Sequence, residues 1–463
     1  MKPKNYRPVA LTSHLVKVFE KVLRNKIVMF IEQHNLLNPN QHGFRSGRSC
    51  LSQLIQHYDK VTAAMEEGKN VDVIYLDFSK AFDKLDFDIT LQKLHNIGVT
   101  EKVFRWIKNF IIGRKQTVSI SGAKSSTEPV ISGVPQGSVL GPLLFLIMLG
   151  DIDSNTMYSS VSSFADDTRV LGEITDINSV LNTQKDLNTI YLWADNNNAQ
   201  FNNEKFECLR YGKDEIIKSS TGYTTSTGSN IVAKSSITDL GICMSSTGNF
   251  EDHIHNVVRS ANLKCGWILR TFRTRSPELM LTLWKALVLP ILDYCCQLWS
   301  PSGLGLMQAL EKVQMTFLNK ICGASELNYW QQLSHFNLYS LQRRRERYIA
   351  IYVWKVLENI VPNFGINVVT NARRGRLCIV PLVRASAPAR MQTLRFNCIT
   401  INGPRIFNSL PLHLKNVSDC SINVFKNELH KHLQSIPDEP RVRKLIPFCA
   451  NSSNSLTVMK PNH

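Results

Sequence analysis

Residues 71–78 read VDVIYLDF. Apolar side chains fall on both faces of this run, and β-branched and aromatic residues dominate it. Such a stretch suits a strand covered on both sides, so Val71 to Phe78 is predicted to be a buried strand. Asp77 sits at its end. A carboxylate there is costly unless something offsets it.

Helical spacing recurs before and after this strand. Leu15, Val18, Phe19, Val22, Ile27 and Phe30 fit one helix face, and the chain from Asn35 to Pro39 ends it. Helices are predicted over Ile89 to His95 and Lys102 to Ile112, with a short strand from Gln116 to Ile120. A further helix over Ser138 to Leu149 starts from the turn Gly133-Val134-Pro135-Gln136-Gly137. Ser162 to Leu171 reads as strand, tight turn, strand, with Asp166-Asp167 at the bend. Val180 to Asn196 reads as helix and Lys205 to Tyr211 as strand. Lys218 to Ser236, rich in Ser, Thr and Gly, reads as an exposed connection before a strand near Asp239 to Cys243. Beyond His253 the pattern is mostly helical: His253 to Thr271, Pro277 to Leu292, Leu306 to Ile321 and Ser340 to Leu357. Mixed elements in the first half and helices in the second put a boundary near 250.

Composition narrows the function classes. The 463 residues carry 54 Lys plus Arg against 37 Asp plus Glu, a formal charge of +17. That surplus favours polyanionic partners, since each basic group near a phosphate releases counterions; taken alone it equally describes a soluble basic protein. Basic clusters mark the second half at Arg343-Arg344-Arg345 and Arg373-Arg374. The 11 cysteines show no paired spacing of a zinc module. Adjacent Cys295 and Cys296 read as core residues, and the thiols as reduced, in cytosol or nucleus. The opening MKPKNYRPVALTS lacks a secretory pattern, and Val139 to Gly150 is too short to span a bilayer. A secreted or membrane protein is therefore not expected.

Asp77 and the Asp166-Asp167 pair share a problem, uncompensated negative charge at strand ends. A divalent metal built between separate strands would solve it, because oxygen ligands suit Mg²⁺. An Asp-Asp pair by itself is also the mark of a solvated turn.

The wording around these aspartates decides between the two. YLDFSKAFDKLD around Asp77, SGVPQGSVLGPLLF at Ser132 to Phe145 and SFADDT around Asp166 resemble, in order, the three core palm motifs of reverse transcriptases. DFSKAFD, PQGSVLGP and FADD resemble in particular those of non-LTR retrotransposons. NYRPVALTS at Asn5 to Ser13 and NQHGFRSGRS at Asn40 to Ser49 are similar to the fingers motifs. FNNEKFECLRYG at Phe201 to Gly212 resembles the motif after the catalytic hairpin, and TDLGI at Thr238 to Ile242 the primer grip. Leu283 to Pro301, Leu310 to Gly323 and Arg405 to Asn416 are similar to the thumb and C-terminal parts of these elements. The likeness thus spans nearly the whole chain.

The resemblance implies an α+β right-hand polymerase. Fingers and palm, an antiparallel sheet plus helices, would take residues 1–250; a helical thumb 251–325; and a basic, mainly helical C-terminal region 326–463. It implies an RNA-directed DNA polymerase that adds dNTPs to a DNA primer on an RNA template, using two Mg²⁺ ions or Mn²⁺ in their place. Asp77, Asp166 and the carbonyl of Phe78 would hold metal, with Asp167 in a secondary role. Phe82 would be the steric gate against a ribose 2′-hydroxyl; without the family it reads as a core aromatic. Gln136 and Gly137 would pack on the incoming nucleotide, and they also serve simply as a helix-starting turn. Arg7, with Lys4 assisting, would cover the triphosphate. Lys205 would protonate the leaving pyrophosphate or be an exposed structural lysine. Arg45 and Arg48 would touch template backbone or support the fingers, and Leu240 and Gly241 would hold the primer end.

On this resemblance the chain begins inside the fingers, without the upstream endonuclease and template-gripping extension of full-length elements. A second reading follows, an element-derived nucleic-acid-binding protein that keeps the fold and has lost catalysis. Oligomeric state leaves no mark in the sequence.

Overall fold

A computed structural model of the chain describes residues 9–323, 326–371, 373–438 and 455–457. These residues form two compact units. The first takes the chain up to Ser49 and then Lys69–Lys234; the second takes Cys50–Gly68 and the chain from Ser235 onward.

The first unit is built on a five-stranded sheet. Strand β1 is Asn70–Leu76; β2 (Lys115–Gln116), β3 (Ser119–Ile120), β4 (Ala123–Lys124) and β5 (Glu128–Pro129) form a small ribbon beside the sheet's own β6 (Ser159–Phe164), β7 (Asp167–Ile174), β8 (Glu207–Tyr211) and β9 (Val232–Lys234). The sheet order is β6-β7-β1-β8-β9, antiparallel except for β8 with β9. β1 is paired on both edges and six of its seven residues are buried. Its uninterrupted apolar sequence follows from that position.

Helices α1 (His14–Gln33), α3 (Phe87–Asn96), α4 (Glu101–Ile111), α5 (Gly141–Met148) and α6 (Ile177–Asn196) belong to the same unit. Ile74, Leu76 and Val170 of the sheet share one core with Leu91, Leu94, Ile107, Leu144 and Leu187 from the helices. Each such buried side chain contributes about 1.5–3 kcal/mol. Local chemistry fixes the helix starts. Asp86 accepts the Ile89 amide at α3, and Asp176 with Ser179 forms a capping box at α6. At α5, Ser138 Oγ accepts the Gly141 amide at 3.0 Å, and buried Glu20 of α1 accepts from the amides of Val139 and Leu140 at 2.7 and 2.9 Å.

Several sequence expectations change here. The strand expected over Gln116 to Ile120 is split between β2 and β3, which pair with different partners. Lys218 to Ser236 is not simply an exposed connection: it contains β9, and Tyr223 is 1% exposed. Tyr223 donates to Asp72 Oδ2 at 2.8 Å, beside the ion pair that Asp72 makes with Arg210 at 2.8 Å.

In the second unit, α2 (Cys50–Glu66) packs on the helix Ala389–Asn397. Arg395 ties them, reaching Asp59 at 2.9 Å and Glu66 at 3.1 Å. Sequence reading missed α2, although Leu54, Ile55, Tyr58, Val61 and Thr62 carry helical spacing and are buried. β10 (Ser236–Asp239) and β11 (Ile242–Ser245) form a hairpin in this unit, and β12 (Val368–Asn371) with β13 (Gly375–Cys378) forms another. The helix expected over Pro277 to Leu292 is broken by a π-turn at Trp284–Val288, where the Leu289 amide bonds back to Trp284 O. Pro290 follows at once, and its missing N–H favours such a defect.

The Arg343-Arg344-Arg345 cluster is not a free basic surface. Arg343 and Arg345 are buried, and Arg344 is paired with Asp293 at 2.7 Å. Glu311 caps the helix Leu341–Leu357 by accepting the Leu341 and Gln342 amides at 3.1 and 2.8 Å. No helix among the described residues is long and apolar enough to cross a membrane.

Candidate active site

Asp77 is the first residue past β1. The β1–β7 ladder ends on Leu76 opposite Thr168. Asp77 follows that last pair on β1, and Asp167 stands just before it at the start of β7. β6 and β7 are joined by the two-residue turn Ala165–Asp166, because Phe164 pairs with Asp167. The three aspartates therefore gather at one end of the sheet. Asp166 is half-buried and Asp167 exposed.

The turn itself is unusual. Ala165 has φ +55° while Asp166 does not enter the positive region. That is the pattern of a type II′ hairpin turn, whose first place normally belongs to glycine. An alanine there stores about 1–3 kcal/mol.

Phe78 bridges Phe201 antiparallel. The flanking bonds run from Asn202 N to Asp77 O and from Ser79 N to Gln200 O, both at 2.8 Å. In that kind of pair the bridging residue's own amide and carbonyl point to the other side. The carbonyl of Phe78 thus faces the hairpin edge. The carboxylate of Asp77 is 32% exposed and accepts from Lys205 Nζ at 3.0 Å.

These donors suit a hard divalent cation. Mg²⁺ commonly takes one or two carboxylates and completes its shell with water and phosphate. Two carboxylates and a carbonyl at an accessible sheet end fit that habit. Among the described residues no three His, Cys, Asp or Glu side chains form a ready-made cage.

The Gly133–Gly137 loop lies on the turn that follows Asp77. Gly133 N donates to Leu85 O at 2.8 Å and Val134 N to Phe82 O at 2.9 Å. Gly133 has φ +80°, and a Cβ there would meet Asp83 O at 2.5 Å. Gln136 Nε2 donates to Asp83 Oδ1 at 2.7 Å, and Ser132 to Asp83 O at 2.9 Å. Gly137 is exposed, at φ +108°. Phe82 stacks on Phe145 with ring centroids 4.4 Å apart and meets Phe44 edge-on at 6.1 Å.

The remaining sequence candidates have other surroundings or partners. Arg45 is committed to Glu32, at 2.9 and 3.2 Å, and to Asn38 O at 2.7 Å. Arg48 donates to Pro39 O; burial, with the Arg45 charge adding, pushes it down to about 10. Lys205 ends a short 3-10 turn just before β8, not within the strand, and is 63% exposed. Leu240 and Gly241, both at positive φ, form the turn between β10 and β11 in the second unit. Arg7 and Lys4 lie outside the described residues.

Sequence reading did not single out Asp83, Glu20 or Gln41. The first and last stand inside motifs that were quoted, YLDFSKAFDKLD and NQHGFRSGRS, but their partners become visible only when the chain is folded.

The family described as "Reverse transcriptase (RNA-dependent DNA polymerase)" matches residues 1–242. The RNA-directed DNA polymerase from mobile element jockey of Drosophila funebris is 28% identical over 331 residues, covering 69% of this chain and 36% of its own length. The probable RNA-directed DNA polymerase from transposon X-element of Drosophila melanogaster is 26% identical over 325 residues, covering 67% and 34%. The chain thus spans about a third of the length of these curated relatives. A solved telomerase from Candida Tropicalis, in complex with a fragment of telomeric RNA, covers 91% of this chain and 57% of its own at 11% identity. Its TM-score is 0.40. The family match covers more than half of the chain, on the same residues that supply the sheet and its aspartates: this chain belongs to the reverse transcriptase family.

Proposed function

We propose that this chain is the polymerase region of an RNA-directed DNA polymerase of a non-LTR retrotransposon. It would extend a DNA primer along an RNA template with dNTPs. The observation that carries this reading is the β1–β7 register, which brings Asp77 to the same sheet end as the Ala165–Asp166 turn.

Asp77, Asp166 and the Phe78 carbonyl would hold two divalent ions, Mg²⁺ or Mn²⁺, with Asp167 beside them. Such ions, when bound, lower the pKa of the primer 3′-hydroxyl and neutralise the triphosphate. The chain's own residues supply position and selection. Phe82, stiffened by Phe145, would bar a ribose 2′-hydroxyl. Gln136 and Gly137 would lie against the incoming nucleotide, their loop held by Asp83. Lys205 would neutralise Asp77 until metal arrives and could then serve the leaving pyrophosphate. Arg7 would reach the triphosphate. Arg48, Leu240 and Gly241 would meet template or primer, while Arg45 braces the fingers. The +17 charge supports a polyanionic partner.

Primer extension on an RNA template, with dNTPs and Mg²⁺, tests the reading. The full chain should extend, and Asp77→Ala and Asp166→Ala should each lose at least about 100-fold while still binding the template–primer. Equal RNA binding by all three proteins with extension by none would favour the binding-protein reading instead.

A further inference from the structure

The proposed catalytic turn is held by a segment far from it in sequence. Residues 40–43 run along β6, the edge strand of the sheet. Ser163 N donates to Asn40 O at 3.1 Å, His42 N donates to Ser163 O at 2.9 Å, and Gln41 bridges Ser163 in parallel. From this track the side chain of Gln41, only 5% exposed, reaches the turn. Its Oε1 accepts from Ala165 N at 3.0 Å and from Gly43 N at 2.8 Å. Its Nε2 donates to Ala165 O at 3.4 Å. Gly43 closes the contact: a Cβ there would stand 2.4 Å from Ala165 N.

Both polar groups of the Ala165 backbone are therefore engaged by one side chain. Peptide units are planar, so holding the N–H and the C=O of Ala165 orients the units on either side of it. The second of these carries the amide of Asp166. Ala165 is also the residue at φ +55°, the place where the chain would relax if released. We infer that Gln41 is a positioning residue: it fixes the Ala165–Asp166 turn and with it the direction in which Asp166 is presented toward Asp77. The catalytic consequence rests on the polymerase reading above; the clamp itself rests on geometry alone.

Two substitutions in the full chain test this. Gln41→Leu keeps the bulk and removes both polar contacts; Gln41→Glu keeps the accepting oxygen. Hydrogen–deuterium exchange over residues 161–168 reads the clamp without any catalysis. Gln41→Leu should speed exchange there about ten-fold, with the rest of the sheet unchanged, and Gln41→Glu, which keeps the acceptor but loses the longer bond to Ala165 O, should speed it less. In primer extension, Gln41→Leu should lower kcat at least about ten-fold and raise the Mg²⁺ midpoint several-fold, leaving the KM for dNTP within about two-fold. Reduced folding alone would not move that midpoint. Parent-like exchange in Gln41→Leu, or equal damage from both substitutions, overturns the inference. If the parent protein extends no primer, the polymerase reading fails while the exchange result still judges the clamp. If Gln41→Leu does not fold, Gly43→Ala, whose added methyl intrudes on the same amide, must reproduce the exchange effect or the inference falls.

Discussion

Lys205 Nζ sits 3.0 Å from Asp77 Oδ2, so a flexible lysine occupies one oxygen of the carboxylate proposed to bind metal. The lysine is 63% exposed and the aspartate 32%, which makes the pair weak, worth about 0–1 kcal/mol. A cation at Asp77 must displace it. Lys205→Met should therefore tighten Mn²⁺ binding by up to about five-fold, even while slowing extension. Calorimetric titration of Mn²⁺ measures this; weaker binding in the variant would show that Lys205 does not compete.

Phe82 is offered as the gate, and it also packs a core. Its stack on Phe145 means that truncation to alanine would cost about 3–5 kcal/mol of stability and confuse the result. Phe82→Val is the cleaner change. It should raise incorporation of ribonucleotides relative to deoxynucleotides by roughly 10–200-fold, the scale set by removing one steric contact. Competitive incorporation assays read the ratio directly, and an unchanged ratio would return Phe82 to the status of a plain core aromatic.

Gly133 tolerates no side chain. At φ +80°, with Asp83 O 2.5 Å from where a Cβ would stand, Gly133→Ala must push the loop off the Phe82–Leu85 turn. The expected loss is about 2 kcal/mol or more in stability. The Gln136–Asp83 bond should break with it and raise the KM for dNTP. Denaturant melts paired with steady-state kinetics test both halves of this statement.

The buried Asp72–Arg210–Tyr223 group supports β1 from its neighbour β8. Burial works to lower the Arg210 pKa, but its bonds to Asp72 outweigh this and raise it. Removing one partner strands the other charge away from water. Arg210→Leu should cost about 3–5 kcal/mol, and Tyr223→Phe, which removes a single donor, about 1.5–3 kcal/mol. Equilibrium unfolding in urea provides the comparison.

His253 predicts a pH effect in the second unit. Burial pushes it down to about 4, and its Nδ1 accepts from Cys243 N at 3.2 Å, which requires the neutral ring. The unfolded histidine titrates near 6.5, so the unfolded chain binds the extra proton first. The stabilising contribution is complete above about pH 6.5 and is lost as pH falls toward 4, by roughly 2–3 kcal/mol. Melting temperatures from pH 7 to 4.5 should fall more steeply for the parent than for His253→Gln.

How much of this was legible in the sequence depended on whether a signal was local. The β1 strand, the hairpin after it in the sheet and most of the long helices, α2 excepted, announce themselves by spacing over a few residues. The gathering of Asp77 with the hairpin aspartates was an expectation from motif order; the register supplies the placement. Arg343 and Arg345 misled because a run of like charges looks solvated, whereas here the guanidinium groups are buried near Glu311 and Asp438. Asp83 and Gln41 were unreadable for a different reason. Their meaning lies in one backbone or amide group brought across the chain, at Gln136 and at Ala165, and no composition or periodicity encodes such a pairing.

Helix α2 carries a consequence for how the molecule comes into being. Its Asp59 is bonded to Arg395, 336 residues later. A ribosome adding about 5–20 residues per second needs roughly 15–70 s to cover that gap. Throughout that interval α2 has been made and the helix Ala389–Asn397 that packs on it has not. A nascent chain in this condition is a natural client for chaperones. The same logic warns against expressing residues 1–234 alone, because the helix would then wait for a partner that never arrives.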